Sequence, residues 1–388
     1  MPNTTQTTTN PFLIETKGMR NNLGPARGKL DPDLTLEAVR DRFRSWHRAM
    51  DPIDNSFPLN MYHFDFDNGM VCAFNKTDKT KTPLYFTRKG FRDVAGSMLP
   101  TYGANFIEAQ SALGEYGRKV SKLNLNLWAA NQDNARMQRT VRMRLPDGSI
   151  GRVIRSQHST NYAQFDNYQF VETLLNDPTL NKLQVISASV QPTAMSVRFA
   201  MEPIEKIELN KPVGMFEIRN SETGNASSSI TYGIWKLVCH NGAFAWEKDC
   251  TVKWRHYGNT SRIEQGVRDA MATFRSKAAG MQDRYAQALE VAIDREVQWL
   301  EYELKHLGAS ESFIDRVEKA LDHPTSSERG TLANVVDGIT LAAQGNFLLE
   351  DRSNADLIQQ WEMEAMASRV MERGLFVAGA DKRIKVKA

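Results

Sequence analysis

The sequence predicts an α+β protein: a central antiparallel sheet flanked by helices, followed by a long helical C-terminal region. Three observations carry that expectation. Residues 183–257 are rich in β-branched and aromatic types and are punctuated by Lys211-Pro212, Gly224 and Gly242, the composition of short strands joined by turns. Residues 137–156 read as a hairpin around Pro146-Asp-Gly-Ser, because Asp-Gly supplies the positive φ that a tight turn needs. Beyond Arg262 the apolar residues recur mostly every three or four positions, which is helical spacing.

Taken in order, the chain begins with Thr, Asn and Gln over residues 1–10, too polar to offset the entropy of ordering, and residues 1–34 read as a loose tail. Thr35 is placed to cap a helix over residues 36–50, whose face carries Leu36, Val39, Phe43 and Trp46. Alternation and glycine punctuation predict strands at 62–66, 70–74 and 84–87, and helices follow at 91–97 and 107–130. The core domain is expected to span 35–258, with a helical region over 259–375. The apolar stripe begins at Ile263, passes through Val267, Met271, Phe274 and Tyr285, and ends at Leu307. As one unbroken helix it would run about 65 Å, a length that suits a coiled coil joining copies into a homo-oligomer; alternatively Gly280 kinks it into a hairpin-like pair. Shorter helices at 312–321, 331–344 and 354–373 precede a basic tail over 376–388.

Among the 388 residues, 41% are hydrophobic and 24% charged, ordinary values for a globular chain. The apolar runs are short and interrupted by charges, so neither a membrane span nor a signal peptide is expected. Cys72, Cys239 and Cys250 form no close pair and read as free thiols of a cytoplasmic protein. A net charge of +3 is too mild to identify a nucleic-acid binder, so the distribution of charge matters more.

The stretch Ile218-Arg-Asn-Ser-Glu-Thr-Gly-Asn-Ala-Ser, followed by Tyr232-Gly-Ile-Trp-Lys-Leu-Val-Cys-His-Asn-Gly, resembles the phage/plasmid-like protein family catalogued as domain of unknown function nine-three-two. Asn220, Ser221, Gly224, Cys239, Asn241 and Gly242 carry the likeness. Upstream, Ile154-Arg-Ser-Gln-His-Ser-Thr-Asn-Tyr-Ala-Gln-Phe-Asp-Asn is similar to a second family element, with a longer serine-to-tyrosine distance. Trp254-Arg-His-Tyr-Gly-Asn is similar to a third. Together they cover about residues 151–274. The resemblance implies a phage or mobile-element origin, the cytoplasm of a bacterial host, and a setting in DNA metabolism. It implies no reaction.

Physically, Asn220-Ser221-x-x-Gly224 is turn chemistry, with a backbone phosphate nest as the sharper alternative. Cys239, His240, Cys250 and His256 lack the close pairing of a zinc site. His63, Asp65 and Asp67 share one face of a strand and offer a cation site, or simply a solvated face. Glu303 and His306 have the spacing of carboxylate-bridged metal sites but no second copy, and Gly24-Pro-Ala-Arg-Gly-Lys29 departs from a phosphate loop. No catalytic motif, metal site or cofactor is expected.

Two groups of residues point to nucleic acid. Arg136, Arg139, Arg142, Arg144, Arg152 and Arg155 cluster around one hairpin, and arginine forks suit phosphate. Lys236, Lys253, Arg255 and Tyr257 interleave cations and aromatics, as a stacking surface for unpaired bases requires. Alternation turns Lys253, Arg255 and Tyr257 outward and Trp254 and His256 inward. The expected function is non-catalytic binding of single-stranded DNA in replication, recombination or strand annealing. The alternative is a phage structural or host-interaction protein working through protein contacts.

Overall fold

Thr35 does cap the first helix: its hydroxyl accepts from the Ala38 amide at 3.2 Å, and helix α1 spans Leu36–Met50 with Leu36, Val39 and Phe43 buried. In the computed structural model the described residues are 13, 21–23, 34–78, 80–99, 103–176, 184–191, 194–200, 212–224, 226–236, 243–257, 261, 265–270, 283–323, 326–344 and 357–385. They divide into two compact units, one of Met1–Thr16 with Arg44–Gln164, the other of Lys17–Phe43 with Phe165–Ala388. The division therefore falls inside the expected 35–258 domain. The α+β class holds, but the strands form two six-stranded sheets instead of one central sheet.

In the first unit the strands are β2 (Ile53–Pro58), β3 (Tyr62–Asp67), β4 (Met70–Asn75), β5 (Leu84–Phe86), β6 (Ala135–Arg144) and β7 (Ile150–His158). Their order is β2-β6-β7-β5-β4-β3, antiparallel except between β5 and β7. Asn68 and Gly69 take positive φ at the β3–β4 turn, and Gly148 does so between β6 and β7. The parallel pair needs a crossover, supplied by helices α2 (Arg88–Met98), α3 (Gly103–Ser111) and α4 (Gly114–Ala130). Thr87 starts it by accepting from the Gly90 amide at 3.0 Å. The core gathers Tyr62, Phe64, Phe86, Phe91, Leu125 and Ile154, with the Phe86 and Phe91 rings edge to face at 5.8 Å.

Gly90 lets α2 settle onto β7. A Cβ there would lie 2.1 Å from the Ile154 carbonyl oxygen, a backbone atom that has no rotamer by which to yield. Gly90→Ala is expected to cost on the order of 3 kcal/mol despite alanine's better helix propensity. A urea titration checks this, and a stabilised variant would show that the approach is looser than the geometry says.

The second unit orders β1 (Asn21–Leu23), β8 (Gln184–Val190), β9 (Met195–Ala200), β10 (Pro212–Asn220), β11 (Ser228–Lys236) and β12 (Ala243–Trp254) as β1-β8-β9-β10-β11-β12, every pair antiparallel. Every residue of β9 is buried, including Arg198. Its guanidinium donates to both Glu364 oxygens at 2.8 Å and to Glu217 Oε1 at 3.1 Å. Ser196 also donates to Glu217, and Arg219 donates to its other oxygen while lying 4.7 Å over the Trp361 ring. Two fully buried carboxylates are thus matched by two arginines, which is how a core tolerates charge.

Helix α5 (Asn167–Leu175) precedes β8, and among the described residues Glu364 belongs to the last of the C-terminal helices α6 (Glu296–His306), α7 (Glu311–Leu321), α8 (Leu332–Gln344) and α9 (Leu357–Ala378). Tyr285 donates to Asp337 at 2.8 Å, tying the preceding helical segment to α8. No helix among the described residues is long and apolar enough to cross a membrane.

The structure departs from the sequence expectations at three places. The stripe to Leu307 is not one helix: helical residues 283–290 end at Val291, strand β13 (Ala292–Ile293) follows, and Arg295 at φ 56° precedes α6. The five-residue step from Ala292 to Val297 marks that break. Residues 271–282 lie outside the described set. Second, the basic tail is docked: β14 (Arg383–Ile384) pairs in parallel with β13, Ile384 is buried, Lys382 meets Glu290, and Arg383 bridges Asp294 at 2.7 Å. Third, the N-terminal stretch is not wholly loose, since Leu13 is buried in the first core and Asn21–Leu23 forms a strand; residues 1–12 lie outside the described set.

Candidate nucleic-acid interface

The arginine hairpin forms as predicted, but the period-two alternation of its strands divides the arginines between two environments. Arg142 and Arg144 stand outward on β6 and are exposed. Arg142 opposes Arg152 across the ladder, and both reach the Asp51 carboxylate, at 3.1 Å and 2.8 Å. The hydrogen bond from Arg152 holds the Asp51 carboxyl below the usual carboxylate range. Arg144 donates to the Gly148 carbonyl, and neither it nor the half-buried Arg136 has an acidic partner among the described residues.

Arg139 and Arg155 are corrected. Both are 2% exposed, so neither can meet a phosphate. Arg139 instead forks onto Asp54 with two bonds of 2.9 Å, joining β6 to β2. A register shift between Arg139 and Thr140 turns the two halves of β6 differently, which counting along the sequence does not reveal.

At the end of β12, alternation behaves as expected. Lys253, Arg255 and Tyr257 are exposed, Trp254 is half-buried against Phe170, and His256 is 6% exposed. The Trp254 and Phe170 rings are stacked, 6.3 Å between centroids. Neither Lys253 nor Arg255 has an acidic partner among the described residues, so this row presents two free cations and a phenol ring. The Lys236 side chain lies outside the described residues.

In the second unit, Phe165 and Asn167, Asn220 and Glu222, and His256, one group from each family-like stretch, share a buried polar network through Ser228. Asn220 Nδ2 donates to the Phe165 carbonyl and to Asn167 Oδ1, each at 3.0 Å, while its Oδ1 accepts from Ser228 Oγ at 2.7 Å. Ser228 also lies 2.8 Å from His256 Nε2. Glu222 accepts from the Asn167 amide at 2.7 Å. The Phe165 carbonyl can only accept, which fixes the Asn220 amide orientation. Ser228 then spends its proton on Asn220, so the His256 ring donates to Ser228 through Nε2–H.

That direction argues against a serine–histidine nucleophile, in which the ring must accept the hydroxyl proton. The pair is also buried, with Ser228 at 0% exposure. What the network does is mechanical. It closes the Asn220–Gly224 turn, where Gly224 takes φ 68° and its amide bonds the Ser221 carbonyl at 3.1 Å. It also fastens His256 inward, while its neighbours Arg255 and Tyr257 are exposed. Cys239, Asn241 and Gly242 lie outside the described residues.

The other candidates have structural occupations. Lys122 bridges Asp65 at 2.7 Å and Tyr85 donates to Asp67, so the place of a hard cation beside His63 is filled by an ammonium and a phenol. Glu303 is buried and bridges Arg373 at 2.8 Å. Cys72 is buried, and burial pushes its thiol up to about 12, which makes it inert as a nucleophile. Compared with protein-family models, with curated proteins and with solved structures, the chain matches none. The functional reading therefore rests on its own residues.

Proposed function

We propose that this protein binds single-stranded nucleic acid without catalysis, through the outward row Lys253, Arg255 and Tyr257 of one unit and the outward arginines Arg142, Arg144 and Arg136 of the other. The row carries the reading: two exposed cations with no acidic partner among the described residues, Lys253 and Arg255, precede the exposed phenol ring of Tyr257. Cations neutralise phosphates in a salt-dependent way, and an exposed ring offers a face to an unpaired base of any sequence. Arg152, held by Asp51, is a supporting residue of the second group. The family-like stretches favour a role in phage or plasmid replication, recombination or strand annealing.

Fluorescence anisotropy with labelled single- and double-stranded oligonucleotides over a salt series tests this. Each phosphate contact removed by Lys253→Glu/Arg255→Glu or Arg142→Glu/Arg144→Glu is expected to lower the slope of log K against log salt by about 0.7 on single strands. Tyr257→Ala is expected to cost about 1–3 kcal/mol on single strands and little on duplex. Absence of binding at low salt would overturn the reading and favour a protein that acts through protein contacts.

A further inference from the structure

Helix α4 carries an apolar stripe on the side that faces away from its own core. Leu113 just ahead of it and Tyr116, Leu123 and Leu127 within it are exposed by 73%, 77%, 59% and 56%. With the half-buried Val120 and the exposed Ala130 they recur at steps of three and four over six successive positions. A solvent-facing helix surface is ordinarily polar. Here the inward face is the unusual one: Gly117 and Ser121 are buried, a Cβ on Gly117 would lie 1.9 Å from the Gln110 carbonyl, and Ser111 donates to Ser121 at 3.0 Å. Small residues seat the first half of α4 tightly on α3 and Leu125 enters the core further along, while the stripe is left outside.

We propose that this face binds a second copy of the same chain, helix α4 against helix α4 in antiparallel orientation about a two-fold axis. A three-four repeat has a period of 3.5 residues, which is matched by another helix with the same repeat. Among the described residues no other helix exposes one; the remaining large exposed apolar residues, such as Tyr302 and Phe376, are scattered. The antiparallel arrangement also fits by size. It sets Leu113 of one copy on Ala130 of the other, Tyr116 on Leu127, and Val120 on Leu123, whereas a parallel pair stacks tyrosine on tyrosine and leaves a gap between alanines. Opposed helix dipoles favour the same orientation. The stripe is narrower than the ~800 Å² per partner of a standard interface, so the contact belongs to the weak, concentration-dependent class. Phe106 of α3, exposed by 46% and tilted on Trp128, widens the edge of the patch.

This inference does not depend on nucleic-acid binding, and its test contains no oligonucleotide. Sedimentation velocity of the full chain across a concentration series is expected to show a dimer fraction that grows with concentration, and Leu123→Glu/Leu127→Glu to weaken association at least tenfold. Both side chains point to solvent, so the variant should keep the wild-type melting curve. Glu115→Gln/Lys119→Gln, which removes the 2.8 Å ion pair beside the stripe, should leave the dimer intact. In a mixture of light and heavy isotope copies, an amine cross-linker should join Lys119 of one copy to Lys119 of the other. A wild-type chain that stays monomeric would overturn the proposal and leave the face to a different protein. So would a dimer that survives the double substitution, or one that yields no such cross-link.

Discussion

Replacing Glu217 with alanine is expected to destabilise the second unit by about 3–5 kcal/mol, the usual loss when one partner of a buried ion pair is removed. Arg198 would keep only Glu364, and Arg219 would lose the carboxylate that orients it over Trp361. Urea denaturation followed by tryptophan fluorescence would read this as a lower midpoint at unchanged slope. A loss under about 1 kcal/mol would mean that water reaches the arginines. The same group gives a pH dependence. Burial alone would raise the Glu217 carboxyl, but Arg198 and Arg219 outweigh it and hold the group below its ordinary value of 4.5. An unfolded chain then binds the proton more readily than the folded one. The contribution is complete above about pH 4.5 and is lost as pH falls through the depressed folded value. Glu217→Ala should lack that portion of the acid limb.

The second large effect is expected from Asn220→Asp, a change of one atom in shape but of two donors in chemistry. The Phe165 carbonyl and Asn167 Oδ1 would each lose a bond and face an acceptor instead, at about 1–3 kcal/mol apiece. Thermal melting should fall, and amide exchange across residues 220–224 should quicken, because the turn loses its anchor. A variant within about 0.5 kcal/mol of wild type would show that the network rearranges around the new group. Asn220→Asp also separates positioning from contact, since nucleic-acid affinity should fall only as far as the strand end carrying Tyr257 loosens.

Much of the fold was legible because local signals agreed with one another. Thr35 and the 36–50 periodicity gave α1 to the residue, and the glycine at 69 with alternating neighbours gave β3 and β4. The partition into two sheets was not legible, because strand composition does not say which strands pair. The break after Val291 left one faint trace, the five-residue step from Ala292 to Val297, in a stripe that otherwise reads as continuous helix. At the candidate site, alternation placed Lys253, Arg255 and Tyr257 correctly, while the register shift in β6 hid the burial of Arg139. The ionic cluster has a sequence trace. Arg198 in Val-Arg-Phe and Glu217 in Phe-Glu-Ile are opposite charges inside apolar runs, and they face one another across β9 and β10. The stripe on α4 had a trace too, since helix periodicity was visible there but not that Gly117, Ser121, Leu125 and Ala129 form its inner face.

The bond between Arg198 and Glu364 spans 166 positions along the chain. During synthesis, β9 leaves the ribosome long before its balancing carboxylate exists. A sheet with one guanidinium lacking half its counter-charge is a poor place for a hydrophobic layer to close, so the second unit is expected to close only after its last helix has emerged. The first unit has no such debt: its sheet is complete once β7 has emerged. Nascent chains should therefore mature in two stages, an early one near residue 164 and a late one near residue 364, and a message cut between them yields a product that exposes an unfinished sheet to the cell's quality control.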